Sequence, residues 1–269
     1  MKPENLKIRA SAAGLLMSGG TGITTKQLET LAELQARKDG QGKPLTPKME
    51  ADLAELIAKR DTPPQLGQTG KSYIQELWLH LEYGYKEPMV TDVLLKGNMC
   101  EQDGMALVTD VLGGDEFRSK NKKPFGDDDP YFMGTPDVVL KDVVEDIKNA
   151  WSLKTFVNIE KPDPVYYAQG QVYMHLTGRE LFRIHHCLIN TPIELVQNEQ
   201  RKFFWKYGGN EENRHYQDAA IQIEQNHNFD HIPMEKRVKT FEFEYDPSFI
   251  AELQSKVILA REYYSSLQL

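Results

Sequence analysis

The chain has 269 residues, with 32 Lys and Arg against 40 Asp and Glu, for a formal net charge of −8. Hydrophobic residues at 40% and aromatics at 10% exclude a disordered chain, and no run approaches the ~18 uncharged apolar residues of a membrane span. The acidity argues against a protein that coats nucleic acid indiscriminately, while leaving room for a local basic groove.

Only two cysteines are present, Cys100 and Cys187. An iron–sulfur cluster or an all-cysteine zinc site needs four thiolates, so neither is expected. No signal peptide is visible at the start of the sequence, and a reduced, cytoplasmic setting is the expectation (the host cytoplasm for a phage-encoded chain).

In chain order, Thr24 with Gln27 three residues on reads as a capping box opening a helix to about Arg37. Thr46-Pro47 opens a second helix to about Lys59, with Pro at the first helical position. A third runs from about Ser72 to Tyr83 and stops at Gly84. A further helical pattern spans Val90 to Leu112, interrupted by Gly97 and ended by Gly113-Gly114. The period then changes. Tyr131–Leu140 and Val143–Lys148 are β-branched runs meeting at Lys141-Asp142, which predicts a hairpin. Asp163-Pro164 and Gly178 bracket a helix over 164–177, and Leu181–Ile189 is a strand. Residues 207–231 are a polar surface excursion with one helical piece. Alternation over Lys239–Tyr245 gives a strand with one wet face, and Asp246-Pro247 opens a last helix whose Ile250, Leu253, Val257, Ala260, Tyr264 and Leu267 keep 3-4 spacing. The expected fold is α/β, a mixed central sheet flanked by helices. It is read as one domain over 1–269: a helical portion over 1–90, a core over 91–200, and the excursion, strand and helix over 201–269.

The hairpin carries the chemistry. With its loop centred on Lys141-Asp142, cross-strand partners have numbers summing to 283, so Asp137 lies opposite Asp146. Directly opposed residues share a face with β-carbons ~5 Å apart. Two carboxylates so close in a low-dielectric cleft repel unless a cation lies between them. Lys148, two residues on, shares that face, and Glu145 points away. Hard oxygen ligands select Mg²⁺ or Mn²⁺, and a neighbouring ammonium can stabilise charge developing on a phosphate. Among the decoys, Gly67-Gln68-Thr69-Gly70-Lys71-Ser72 lacks the spacing and the preceding strand of a P-loop. His185 and His186 face opposite sides of a strand, and Trp151 and Cys100 read as core. Arg118, Lys120, Lys122 and Lys123 form the densest basic run, either a solvated loop or, because it leads into the hairpin, a contact to DNA phosphates.

Pro136-Asp137 followed by Asp146-Ile147-Lys148 resembles the signature of the PD-(D/E)xK nuclease superfamily. Gly97 and Glu101 resemble the upstream helix motif of its lambda-exonuclease and RecB-nuclease branch. Gln169 and Tyr173, an i, i+4 pair, are similar to that branch's Q-xxx-Y motif. Ile8-Arg9-Ala10-Ser11 and the segment around Arg237-Val238 resemble phage exonucleases of the YqaJ type. The resemblance implies a restriction-endonuclease-like core and a Mg²⁺- or Mn²⁺-dependent 5′→3′ exonuclease on double-stranded DNA ends. Glu101, Asp137, Asp146 and the Ile147 carbonyl would hold one or two ions, and Lys148 would contact the attacking water or the scissile phosphate. Gln169 and Tyr173 would position the lysine or the DNA backbone; Arg9 and Ser11 would help bind a terminal phosphate. A ring-shaped homo-oligomer (a trimer) and a single-strand-annealing protein are the implied partners. An endonuclease or nickase on the same core, or a non-catalytic DNA-end binding module, are the alternatives.

Overall fold

The computed structural model describes residues 2–20, 22–88, 90–113 and 118–269. In chain order the elements are β1 (Ile8–Arg9), α1 (Ala13–Met17), α2 (Thr25–Lys38), α3 (Pro47–Asp61), α4 (Gln68–Tyr83), α5 (Asp92–Met99) and α6 (Glu101–Leu112). There follow β2 (Phe132–Met133), β3 (Val138–Val139), β4 (Val143–Asn149), α7 (Leu153–Val157), α8 (Pro164–Thr177) and β5 (Leu181–Cys187). The chain closes with α9 (Ile193–Lys206), α10 (Arg214–Asn226), β6 (Val238–Glu244) and α11 (Pro247–Ser266).

Capping chemistry sets most helix boundaries. Thr24 and Gln27 form the full reciprocal box at α2. Thr46, Asp163 and Asp246 each accept backbone N–H groups ahead of a Pro at α3, α8 and α11. Gly84 and Gly178 end α4 and α8 in the left-handed region, where glycine has no Cβ penalty. Gly113 ends α6; Gly114 lies outside the described residues.

A four-stranded sheet has the order β3-β4-β5-β6, with only the central β4–β5 pair parallel. The hairpin register matches the sequence reading, since Val138 pairs with Glu145 and Val139 with Val144. One face of the sheet packs on α8, through Val144, Phe182 and Ile184 against Ala168 and Val172. Helices α1, α4 and α11 add to that same core through Leu16, Ile74, Leu253 and Val257. The helix sits very near the sheet, where a Cβ on Gly170 would run into the Phe182 ring. The other face packs on α6, through Ile147 and Cys187 against Met105 and Val108. Helices α2 and α3 bury Leu31, Leu34, Leu53 and Leu56 in a cluster of their own. Among the described residues, no helix is long and apolar enough to cross a membrane.

Four elements differ from expectation. The run 131–140 is not one strand: Phe132–Met133 leaves the hairpin to pair in parallel with Ile8–Arg9, and β3 keeps only two residues. Helix α4 begins at Gln68, four residues early. The 90–112 pattern breaks at Cys100, not at Gly97, which stays helical; one interior glycine costs only about 1 kcal/mol. Helix α9, opened after Pro192, covers a stretch to which the sequence pattern assigned no element. Both cysteines are buried and free.

Candidate active site

The carboxylate pair comes together at the open end of the β3–β4 hairpin. Asp146 is buried on the α8 side of β4, where Oδ2 lies 2.6 Å from Lys148 Nζ. Apart from that ion pair, Oδ2 has no hydrogen-bond donor. Asp137, one residue before β3, continues the register opposite Asp146, and its Oδ2 accepts the Ile147 N–H at 2.8 Å. Burial, followed by repulsion from Asp146, pushes the Asp137 carboxyl up to about 8. Burial works against the Lys148 ammonium, yet the Asp146 and Asp137 carboxylates outweigh it and raise its pKa, so it stays charged.

Helix α8 supplies the support. Gln169 donates from Nε2 to Asp146 Oδ1 at 3.3 Å and to the Tyr173 hydroxyl at 3.0 Å. Tyr173 in turn donates to the Thr135 carbonyl at 3.2 Å. Burial and the nearby Asp146 raise the phenol's pKa, which keeps that proton in place. The Gln169–Tyr173 pair, expected to position the lysine or the DNA backbone, makes its hydrogen bonds to Asp146 and the Thr135 carbonyl. Both are buried, one helical turn apart.

Glu101 opens α6 and faces a cleft of about 530 Å³ that Asp137, Lys148, Lys120, Asn149 and Tyr166 also line. Its carboxylate is ion-paired with Lys120 and lies near enough to Asp137 to disfavour a second negative charge there. Lys120 is carried by a strap along the hairpin: Asn121 N–H donates to the Asp137 carbonyl at 2.7 Å, and its side chain to the Pro136 carbonyl at 3.1 Å. Sequence reasoning missed Tyr166 and Asn149. Tyr166 lies three residues before Gln169 on the same helical face, a spacing visible in the sequence, and Lys148 Nζ sits 5.1 Å from its ring centroid. Asn149 continues the period-two face of Ile147 and packs on Gly104, one turn along α6 from Glu101. Both polar atoms of its amide are buried without a partner.

The donor set fits a hard divalent cation. Half-buried Asp137 and buried Asp146 offer opposed oxygens that repel one another, and Asp146 Oδ2 is unsatisfied except by an ammonium. Among the described residues no three His, Cys, Asp or Glu side chains form a ready-made cluster, and Glu101 is engaged by Lys120. The Ile147 carbonyl is adjacent in β4.

The basic run divides. Arg118 is not a surface contact: its side chain is 6% exposed and clamps the buried Glu145 through Nε at 2.8 Å and a second nitrogen at 3.3 Å. Glu145 needs such partners because it points away from the cleft into the sheet's other face, where His185 and Arg183 also approach at 3.6 and 3.7 Å. Lys122 and Lys123 are exposed, and Lys123 lies over the Phe125 ring. Arg9 and Ser11 are exposed on the segment flanking the site, since Ala10 packs where Gly134 meets Tyr173. The two histidines diverge: His185 Nδ1 meets Thr240 while His186 packs on Tyr166 and Phe241. Trp151 accepts Lys96 Nζ at its carbonyl and packs on His227, a structural role.

The four-stranded mixed sheet between α6 and α8, with its acidic residues at the end of a hairpin, defines a restriction-endonuclease-like α/β fold. Solved exonucleases share it. A phage related exonuclease from Haemophilus somnus 129PT superposes with a TM-score of 0.60 at 19% identity, over 97% of this chain and 94% of that one. The alkaline exonuclease LHK-Exo from Laribacter hongkongensis gives 0.54 at 14% identity, over 97% and 88%. Its complex with dAMP gives 0.52 at 14% identity, over 97% and 90%. No family model matches the chain, and no curated protein matches it in sequence.

Proposed function

We propose that the chain is a metal-dependent deoxyribonuclease of the PD-(D/E)xK type, acting as an exonuclease on the ends of double-stranded DNA. The observation that carries this reading is Asp146. It is buried, opposed to Asp137, held at one oxygen by Gln169 and paired at the other with Lys148. A structural role alone does not call for two carboxylates and an ammonium in one cleft, since such burial is costly for stability. The likeness of fold to the Haemophilus somnus and Laribacter hongkongensis exonucleases supports the same reading.

Asp137, Asp146 and the Ile147 carbonyl would hold Mg²⁺ or Mn²⁺, with Glu101 joining once it leaves Lys120. A cation held there would lower the pKa of a bound water and neutralise phosphate charge. Lys148 lies beside Asp146 with its proton secured, a donor aimed where negative charge grows on the phosphate. Tyr166 limits where that ammonium can swing. Lys120 lines the cleft and, with the exposed Lys122 and Lys123 that follow it in the chain, would contact phosphates, and Arg9 and Ser11 flank the cleft on the Thr135 side, where a 5′-terminal phosphate would be recognised. By resemblance, the polarity is 5′→3′, the assembly a ring-shaped trimer, and the partner a single-strand-annealing protein in recombination.

The test compares end-labelled linear duplex with covalently closed circular DNA in Mg²⁺. Degradation of the linear form alone is expected, faster from a 5′-phosphate than from a 5′-hydroxyl. Efficient cutting of circles would make it an endonuclease, and binding of ends with no cleavage in Mg²⁺ or Mn²⁺ would make it a binding module.

A further inference from the structure

Outside the cleft, α9 and α10 form a helical hairpin whose outer face the catalytic reading does not use. Helix α9 ends in Arg201-Lys202-Phe203-Phe204-Trp205-Lys206. At 100° per residue these side chains divide between two faces. Gln200, Phe204 and Tyr207 turn towards α10: Gln200 donates to the Ala220 carbonyl at 3.0 Å, Phe204 packs edge-on to Tyr216, and Tyr207 lies against His215. Asn198 and Lys202 turn the other way and meet Asp92 at 3.4 and 2.8 Å. Trp205, seven residues after Asn198 and three after Lys202, lies on that second face.

Asp92 begins α5, and the next two residues, Val93 and Leu94, line the catalytic cleft. The second face of α9 therefore continues the α5 wall of the cleft. Trp205 stands about 4.5 Å further along the axis than Lys202, at 1.5 Å per residue. It is 70% exposed, which is unusual for the largest apolar side chain. The ring is nevertheless not loose. Phe204 packs edge-on at 5.1 Å between centroids, and the ring folds back over Gly209, where a Cβ would come within 3.2 Å of it. Arg201 flanks it on the same side of the helix, and Lys206 follows it with its ammonium 5.3 Å from the Phe203 ring centroid; both are exposed and neither is ion-paired among the described residues. A fixed, exposed aromatic face with two exposed cations on neighbouring turns that no carboxylate holds, in a chain of net charge −8, suits a strand of unpaired nucleotides. The bases stack on the ring and the phosphates meet the cations.

We propose that Trp205, with Arg201 and Lys206, is a single-stranded DNA platform that guides one strand along the α5 wall to or from the cleft. The occupant rests on the nuclease reading above, but its binding does not require cleavage. A duplex has no unstacked bases to offer the ring, so the platform discriminates by strandedness, not by sequence.

The experiment titrates the full-length protein with an unstructured oligo(dT) in EDTA and follows intrinsic fluorescence and the anisotropy of the labelled oligonucleotide. The chain has three tryptophans; Trp78 and Trp151 pack against other side chains, so quenching by stacked bases reports mainly on Trp205. Trp205→Ala should lose most of the quench and bind oligo(dT) about 5- to 150-fold more weakly, the range for removing one stacking aromatic. Trp205→Phe should keep most of the affinity and most of the binding-linked anisotropy change. Equal oligo(dT) affinity in wild type and Trp205→Ala would overturn the platform. So would a shift of Trp205→Ala to a smaller oligomer in light scattering, since that result would assign the ring to a contact between copies. Failure of the wild type to cleave duplex DNA, with the quench intact, would count against the nuclease reading and not against the platform.

Discussion

Arg118→Met separates two roles that the sequence alone could not. As a DNA-phosphate contact, Arg118 would affect affinity and leave stability untouched. Its two hydrogen bonds to Glu145, at 2.8 and 3.3 Å, predict the reverse. Without them Glu145, fully buried, keeps only Arg183 at 3.7 Å and His185 at 3.6 Å, both beyond good hydrogen-bond range. Removing one partner of a buried pair costs about 3–5 kcal/mol, because the remaining charge is left desolvated; the two residual partners place the loss near the lower end. At an m-value of about 3 kcal/mol/M, that is a fall in the urea midpoint of about 1 M. The pH dependence has a definite sign. Burial tends to raise the Glu145 pKa, but His185 and Arg118 prevail and lower it. The stabilisation is therefore present above the ordinary glutamate value of 4.5 and is lost as pH falls through the depressed folded value. The gap between wild type and Arg118→Met should be constant from pH 6 to 8 and narrow below about 4.5. Urea unfolding at several pH values, beside DNA binding in Ca²⁺, makes the measurement. A variant that unfolds at the wild-type midpoint yet binds DNA weakly would refute the buried-clamp reasoning.

Lys148→Ala should slow single-turnover cleavage by ~100-fold or more, the scale of losing one preorganised donor, with DNA affinity in Ca²⁺ nearly unchanged. Lys148→Arg should not restore the rate, since a planar fork does not fit a compact ammonium site over Tyr166; near-normal turnover in either would remove the lysine from the chemistry. Asp137→Asn should be more stable than wild type in EDTA at pH 8. The raised Asp137 pKa means that wild type loses stability as pH rises from about 3.8 towards 8, at up to ~1.4 kcal/mol for each step of one in pH, while the amide does not titrate. Added Ca²⁺ should close or reverse that gap in thermal unfolding; an identical pH profile for both proteins would show that the carboxylates are not opposed.

The hairpin was legible because its signals are local. A two-residue turn between β-branched runs fixes the 283 register, and that register places Asp137, Asp146 and Lys148 on one face and Glu145 on the other. Capping residues marked α2, α3, α8 and α11 for the same reason, as each motif lies within four residues of the boundary it sets. What escaped the sequence depends on partners distant in the chain. The β1–β2 pair joins two dipeptides more than 120 residues apart, too short for any periodicity to show. Arg118 looked like part of a surface run because its partner, Glu145, is 27 residues away and visible only once the sheet is assembled. Helix α9 shows a different failure, in which Phe203, Phe204 and Trp205 in succession hide the amphipathic period. Gln169 and Tyr173 were singled out by resemblance to a motif, which could not tell that their hydrogen bonds would go to Asp146 and the Thr135 carbonyl.

The central claim is that the Asp137–Asp146 pair carries a divalent cation that drives phosphodiester cleavage. Asp146→Asn keeps an oxygen for Gln169 and nearly the same shape while removing the charge shared with Lys148. Single-turnover digestion of a 5′-labelled linear duplex, by wild type and Asp146→Asn with Mg²⁺ and with EDTA, tests it most directly. The account predicts nucleotide release only by the wild type in Mg²⁺, with Asp146→Asn lower by several orders of magnitude although it folds and binds the duplex. Comparable release by Asp146→Asn, or by the wild type in excess EDTA, would contradict it.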